Sequence, residues 1–337
     1  VDRVVDEARE GGFNTLFVQV RGRGDALYES TLVPRSPLLA GRAGSFDPLR
    51  RLIGRARAAG IEVHGWVNVL LTSHFPAPPA DNLVVRHPEW VMVPRQAARP
   101  SVPKDPRGLL WLVRRAARSD PDVEGYYLSP SSPEVRAHLE AIVRELVRKY
   151  PLRGIHLDFI RYPNKDYDWS TVALEDFRHQ EGGGDLLTLP ESRPEAFENY
   201  RRRVLTGLAT RLAAAAREER PGIVVSAAVV PDEASALHQR FQDWPDWLDR
   251  GILDAVCPMT YTPDTRLFLA QVEGAGAKVR PGQRVWAGVG AYRLSVDGMV
   301  EKILAARRAG ASGVVLFSHE SLTPSALRRL ATEAFAP

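Results

Sequence analysis

The chain has 337 residues, 44% of them hydrophobic and 26% charged, with a formal net charge of +4. That is enough apolar material for a sizeable core without disulfides or a structural metal, and the single cysteine, Cys257, excludes an intramolecular disulfide framework and a multi-cysteine zinc site. Only five of the 45 basic residues are lysines, and the arginines spread along most predicted helices, which describes a charged surface and not a nucleic-acid-binding stripe.

The length fits two domains of roughly 150 residues, or one (β/α)₈ barrel with insertions. The pattern along the chain chooses between them. Glu7-Ala8-Arg9-Glu10 ends in Gly11-Gly12 and leads into the β-branched run Thr15–Val20. Asp47-Pro48 opens a helix, since aspartate caps free amides and proline suits the first turn. Leu49, Leu52, Ile53 and Ala56 line its inner face, Gly60 ends it, and Ile61–Asn68 reads as a strand.

Ser132-Pro133 opens the clearest helix, with Val135, Leu139, Ile142, Val143, Leu146 and Val147 at helical spacing before Pro151. The strand Gly154–Asp158 follows. Helix 195–219 feeds strand Ile223–Val230, helix Trp244–Arg250 feeds strand Leu253–Tyr261, helix 264–273 feeds strand Val285–Ala291, and helix 297–309 feeds strand Gly313–Ser318, with a closing helix over Pro324–Phe335.

Helices alternating with buried strand runs mean a parallel sheet covered by helices. The absence of a glycine-rich phosphate loop weakens a dinucleotide-binding sheet and favours the barrel, although the strands number seven. Two connections are long. Residues 70–131 carry Pro76, Pro78, Pro79, Trp90, Trp111, Tyr126 and Tyr127, and residues 162–194 carry Tyr162, Tyr167, Trp169 and Gly182-Gly183-Gly184. Both follow strands, so in a barrel they rise from the catalytic face. They are expected either to wall a cleft or to pack their own aromatics, and neither is apolar enough for a domain of its own.

The strand ends carry polar residues: Gln19 and Arg21, Asn68, Asp158 with Arg161 and Tyr162, Asp232, Tyr261, Tyr292, and His319 with Glu320. Asp158 is the strongest candidate for chemistry, ending an apolar strand with an arginine three residues on. The competing reading is a structural carboxylate bound to backbone amides or to Arg161. Glycoside hydrolysis commonly needs two carboxyls, one to protonate the leaving oxygen and one to attack or to activate water. Glu320, Asp232 and Asp25 are the candidate partners, and spacing does not choose among them.

Metal chemistry has little support, because the eight histidines are dispersed without a metal-ligand pattern. His64 and His156 read as hydrogen-bonded pocket histidines. No nucleophilic serine elbow is present, and Cys257 reads as inert core. The longest uncharged apolar run, Gly222–Pro231, is far short of the ~20 residues of a membrane helix. The chain starts at Val1 with no signal peptide, so a leader is expected to lie outside it.

Several segments together resemble glycoside-hydrolase-like family 10, the GHL10 or DUF187 barrels. They are Phe13–Arg21, Gly24–Ser30, Phe46–Leu49, Gly60–Asn68, His87–Trp90 and, most specific, Gly154-Ile155-His156-Leu157-Asp158-Phe159-Ile160-Arg161-Tyr162-Pro163. The resemblance spans almost the whole chain. It implies a TIM barrel that hydrolyses a polysaccharide, with bacterial cell-wall glycan as the substrate of some members, no cofactor, and an extracytoplasmic location. Relatives begin with one further strand, so the seven strands are expected to be the second to eighth of a barrel and the first to be absent from this chain.

On this reading Asp158 ends the fourth barrel strand as a catalytic carboxylate, with Glu320 or Asp232 as its partner. Arg21, Asp25, His64, Asn68, His156, Arg161, Tyr162 and Tyr261 are the expected sugar contacts. The chain departs from the family at Phe159, where many relatives carry a second acid, and at Gly22, where proline is frequent. Ile160 occupies the position of the catalytic acid in chitinase-type barrels, which puts that mechanism in doubt. A non-catalytic carbohydrate-binding barrel is the alternative, and a metal-dependent hydrolase on the same fold a weaker one.

Overall fold

The structure is a computed structural model that describes residues 1–75, 78, 80–99, 106–118, 120 and 123–335. Pro76 and Pro79 of the first insertion lie outside the described residues. In chain order the strands are β1 (Thr15–Arg21), β2 (Glu62–Asn68), β3 (Leu71–His74), β4 (Gly125–Tyr127), β5 (Gly154–Asp158), β6 (Val224–Val229), β7 (Ala255–Pro258), β8 (Arg284–Gly290) and β9 (Gly313–Phe317). Seven of them form a parallel sheet in the order β1-β2-β5-β6-β7-β8-β9, while β3 and β4 make a separate antiparallel hairpin. The sheet curls as a TIM barrel does and is open between β1 and β9, which carry no register to each other.

The helices between strands form for local reasons that the sequence displays. Helix Pro133–Lys149 starts where the Ser132 hydroxyl accepts a hydrogen bond from the Val135 amide at 3.1 Å. It buries Val135, Leu139, Ile142 and Leu146 against the sheet and packs beside the long helix Pro194–Glu219. Arg220 then closes the C-terminal end of helix 133–149, donating to the carbonyls of Val147, Tyr150 and Leu152 at 2.8–3.0 Å. The Val147 carbonyl has no partner in the helix ladder, and the guanidinium supplies one.

Three details differ from the pattern expected along the chain. The run Leu253–Tyr261 narrows to a four-residue strand because Pro258 has no amide to donate and the chain beyond it turns tightly, with Thr260 bonding back to Pro258 and Tyr261 to Met259. The closing helix divides into an α-helix Pro324–Arg329 and a π-helical turn Leu330–Ala334. The first insertion folds the β3–β4 hairpin back over the sheet, and its Val84, Leu109 and Tyr126 join the same apolar cluster as Val63, Ile155 and Val225.

The second insertion forms helix Thr171–Gln180 and packs Trp169, Leu174 and Phe177 on Phe197 and Tyr200. Of the aromatic residues that could have walled a cleft, Tyr126, Tyr127, Tyr167 and Trp169 are buried in these clusters. They pack inward because each buries a large apolar ring. None of the described helices is long and apolar enough to cross a membrane.

Candidate active site

A cavity of about 810 Å³ runs from the C-terminal ends of the strands down through the barrel and along the β1–β9 opening. Asp158 stands at its upper end. The residue is inward-facing because β5 alternates: Ile155 and Leu157 are buried in the apolar cluster outside the sheet, while His156 and Asp158 line the cavity. Gly154, next inward, lies under the ring of His64, and a β-carbon there would come 2.3 Å from His64 Nδ1. Only glycine lets that ring lie flat in the barrel.

Asp158 is 8% exposed, and three donors converge on its carboxylate. The Trp66 indole donates to Oδ2 at 3.1 Å, while the Phe159 amide at 2.7 Å and Arg161 Nη1 at 3.3 Å donate to Oδ1. The Phe159 bond exists because the backbone turns at once after β5, with Phe159 at φ 50°. That left-handed conformation is costly for a bulky residue. It also places the Phe159 ring beneath the Arg161 guanidinium, 4.2 Å from ring centre to Cζ. Where the resemblance leads one to expect a second acid after the aspartate, this chain has a platform for the arginine.

Arg161 is almost fully buried. Burial lowers its pKa, but Tyr127, Asp158 and Glu124 around it outweigh that and leave it raised, so the guanidinium is a fixed positive charge. Across the cavity Tyr261 stacks face to face on Phe317, centroids 5.5 Å apart. Gly288 gives it room, since a β-carbon there would stand 3.1 Å from the Tyr261 ring and 2.7 Å from the Pro258 carbonyl oxygen. Below Asp158, the rings of Phe17, His64, His156 and Trp286 pack against one another edge-on or tilted. Burial lowers the pKa of His64 to about 4 and of His156 to about 3. Both are neutral near pH 7, and His156 Nδ1 bonds the Ser226 hydroxyl at 3.0 Å.

Of the residues singled out in the sequence, the cavity gathers Asp158, Arg161, Tyr261, His64 and His156. Cys257 also lines it, with burial raising its thiol pKa to about 12. The others are placed elsewhere. Arg21 is wholly buried and donates to the carbonyls of Asn68 and Val69, Asn68 donates to the Gly22 carbonyl at 2.9 Å, and Asp25 accepts from the Arg23 amide at 2.9 Å. These bonds tie the turns after β1 and β2 together. Tyr162 packs in the core against Phe241. Asp232 caps helix Glu233–Gln239 by accepting from the Ser235 amide at 2.8 Å, and hydrogen bonds from the Ser235 hydroxyl and then that amide lower its pKa. Glu320 is exposed on the turn after β9, while its neighbour His319 lines the cavity and bonds Glu7 at 2.7 Å. Neither Asp232 nor Glu320 lines the cavity with Asp158.

Trp66 lies in a segment that carries the family resemblance, and its bond to Asp158 is visible only in the structure. The strand alternation supplies a signal for it, since residues 64, 66 and 68 share one face of β2. Among the described residues no group of three histidine, cysteine or acidic side chains is placed to hold a metal ion. Taken together, the upper cavity offers a hydrogen-bonded carboxylate, a fixed guanidinium and aromatic faces. Such a set can bind a sugar ring and stabilise positive charge on its anomeric carbon.

The family described as glycosyl hydrolase-like 10 matches residues 2–281, and the chain belongs to it. Two curated relatives are the glycosyl hydrolase DigH of Escherichia coli K12 and the glycosyl hydrolase YngK of Bacillus subtilis 168. DigH is 24% identical over 279 residues, covering 78% of this chain and 57% of the relative, and YngK is 22% identical over 284 residues, covering 77% and 48%. The chain therefore spans about half the length of these relatives. Among solved structures, the glycoside hydrolase domain of PgaB (BpsB) from Bordetella bronchiseptica superposes with a TM-score of 0.72 at 15% identity, covering 99% of this chain and 93% of that one. That likeness is one of fold.

Proposed function

We propose that this member of the glycosyl hydrolase-like 10 family is a glycoside hydrolase that cleaves a polysaccharide, with bacterial cell-wall glycan as the substrate class and Asp158 as a catalytic carboxylate. The observation that carries the reading is the placement of Asp158: at the C-terminal end of a barrel strand, at the head of the cavity, oriented by Trp66, Phe159 and Arg161. The relatives' names, glycosyl hydrolase in both cases, support the reaction class. An extracytoplasmic location and a single barrel over residues 1–337 belong to the same reading.

In this reading the sugar at the cleavage site lies over Asp158, whose carboxylate stabilises the oxocarbenium-like charge on the anomeric carbon. Trp66 and the Phe159 amide hold the carboxylate in one orientation, so no reorganisation is needed as that charge develops. Tyr261, backed by Phe317, offers its ring to a pyranose face. The test is release of reducing ends from peptidoglycan glycan strands stripped of their peptides. Asp158→Asn is expected to abolish release with Tm nearly unchanged, and full turnover by that variant would refute the assignment.

A second reading, a non-catalytic carbohydrate-binding barrel, draws support from the position of Asp232 and Glu320 away from the cavity lining. It predicts retention of glycan strands by the wild-type protein with no release of reducing ends.

A further inference from the structure

Arg161 reaches two carboxylates at once. Its Nη1 stands 3.3 Å from Asp158 Oδ1 and its Nη2 3.5 Å from Glu124 Oε1. Since both acids touch one planar guanidinium, those carboxyl oxygens are no more than about 9 Å apart, an upper bound that does not exceed the largest separation paired glycosidase carboxyls use. Glu124 enters from the first insertion, just ahead of β4, where the hairpin is folded over the end of β5. Its backbone carbonyl is fixed by His74 Nδ1 at 3.1 Å, and its Oε2 accepts a hydrogen bond from the buried Tyr127 hydroxyl. The Tyr127 ring in turn packs edge-on to Phe159, 6.1 Å between centroids. Glu124, like Asp232 and Glu320, is not among the cavity-lining residues, and what sets it apart from them is the arginine it shares with Asp158; with 36% of its side chain exposed it is reachable from solvent, whereas Asp158 is nearly enclosed.

We infer that Glu124 is the second catalytic carboxyl, the proton donor that works opposite Asp158. This rests on the glycoside hydrolase reading above and completes it. The Glu124 carboxyl gives its proton to the glycosidic oxygen as the bond from that oxygen to the anomeric carbon breaks and its electron pair leaves with the oxygen. Asp158 supports the positive charge on the carbon. Water then adds its hydroxyl to the anomeric carbon, and its proton restores Glu124. The roles suit the two environments: the acid is reachable from solvent, and the charge-stabilising group is clamped by three donors.

The experiment measures reducing-end release from peptide-free peptidoglycan strands across pH for the wild type, Glu124→Gln, Glu124→Asp and Glu320→Gln. Loss of a general acid costs about 10²–10⁴-fold, so Glu124→Gln is expected to fall by that factor and to lose the alkaline limb of the pH profile, with Tm unchanged. Glu124→Asp is expected to recover part of the rate, and Glu320→Gln to stay within about threefold of wild type. A Glu124→Gln variant within tenfold of wild type, or one that is slow but keeps both limbs, overturns the inference, the second result marking a residue that only positions Arg161. A wild-type protein that releases no reducing ends overturns the hydrolase reading and the inference with it, which separates the two failures.

Discussion

Trp66 and Asp158, on adjacent parallel strands and two register positions apart, are joined by a 3.1 Å hydrogen bond from the indole nitrogen to Oδ2. Oδ1 has two donors of its own, and the indole fixes the second oxygen. A hydrogen bond to a charged acceptor contributes about 1.5–3 kcal/mol. If the orientation of Asp158 matters chiefly as charge develops, that contribution belongs to the transition state. Trp66→Phe is therefore expected to lower kcat on glycan strands by about 10–100-fold, with KM changed by less than about threefold. An equal effect on KM and kcat/KM with kcat intact would show that the indole serves substrate binding instead.

The close approach of Gly154 and His64 makes a stability prediction. An alanine β-carbon at 154 would meet His64 Nδ1 at 2.3 Å and the Val224 carbonyl at 2.8 Å. The histidine ring can move, but the β6 backbone cannot do so without disturbing the ladder. Gly154→Ala is expected to lose about 1–3 kcal/mol or more in urea unfolding, the usual range for overpacking. Adding His64→Ala should recover part of that loss, because the two positions share one contact. Strict additivity in the double variant would count against the ring as the cause.

Acid should weaken the fold through the buried histidines. Burial lowers the pKa of His64 to about 4, of His156 to about 3 and of His138 to about 4, whereas in the unfolded chain each titrates near 6.5. Below about pH 6.5 the unfolded state therefore binds protons that the folded state refuses, and stability falls as the pH drops. The loss continues until the pH reaches the folded-state values, at about 1.4 kcal/mol for each unit by which a folded-state value lies below 6.5. Urea midpoints measured from pH 7 to pH 4 are expected to decline, and His64→Leu should make the decline shallower. A slope unchanged in that variant would remove His64 from the account.

Much of the scaffold could be read along the chain because its determinants are local. The Asp47-Pro48 and Ser132-Pro133 openings are seen in the structure as capped helix starts, and the apolar faces of both helices are buried as their spacing indicates. Seven strands form the sheet, all but the shortened β7 at nearly the expected boundaries, and Asp158 ends its strand. The β3–β4 hairpin was not anticipated, since its two strands have four and three residues and are separated by a long stretch of chain. Segments that short carry no usable alternation.

The strand-end acids mark where local reading ends. Asp158, Asp232 and Glu320 all follow apolar strand runs, and in sequence they look alike. Asp158 is still within the pleat, so its inward direction is set by alternation from Gly154 and His156. Asp232 and Glu320 come after the last paired residue of their strands, where the next few backbone angles decide the direction. The first turns to cap a helix, and the second faces solvent. Tyr162 is a similar case: four residues beyond Asp158, it is carried past the cavity into contact with Phe241.

The sequence alone determined the barrel-type alternation and the strand-end carboxylate, because periodicity, caps and pleat act over a few residues. It could not determine that carboxylate's neighbours. Trp66 lies 92 residues before Asp158 and meets it through strand register, and Glu124 shares Arg161 with it only because an insertion hairpin folds back over β5. Such pairings depend on how the chain closes on itself, and only the tertiary structure, which satisfies all the packing at once, brings these side chains together.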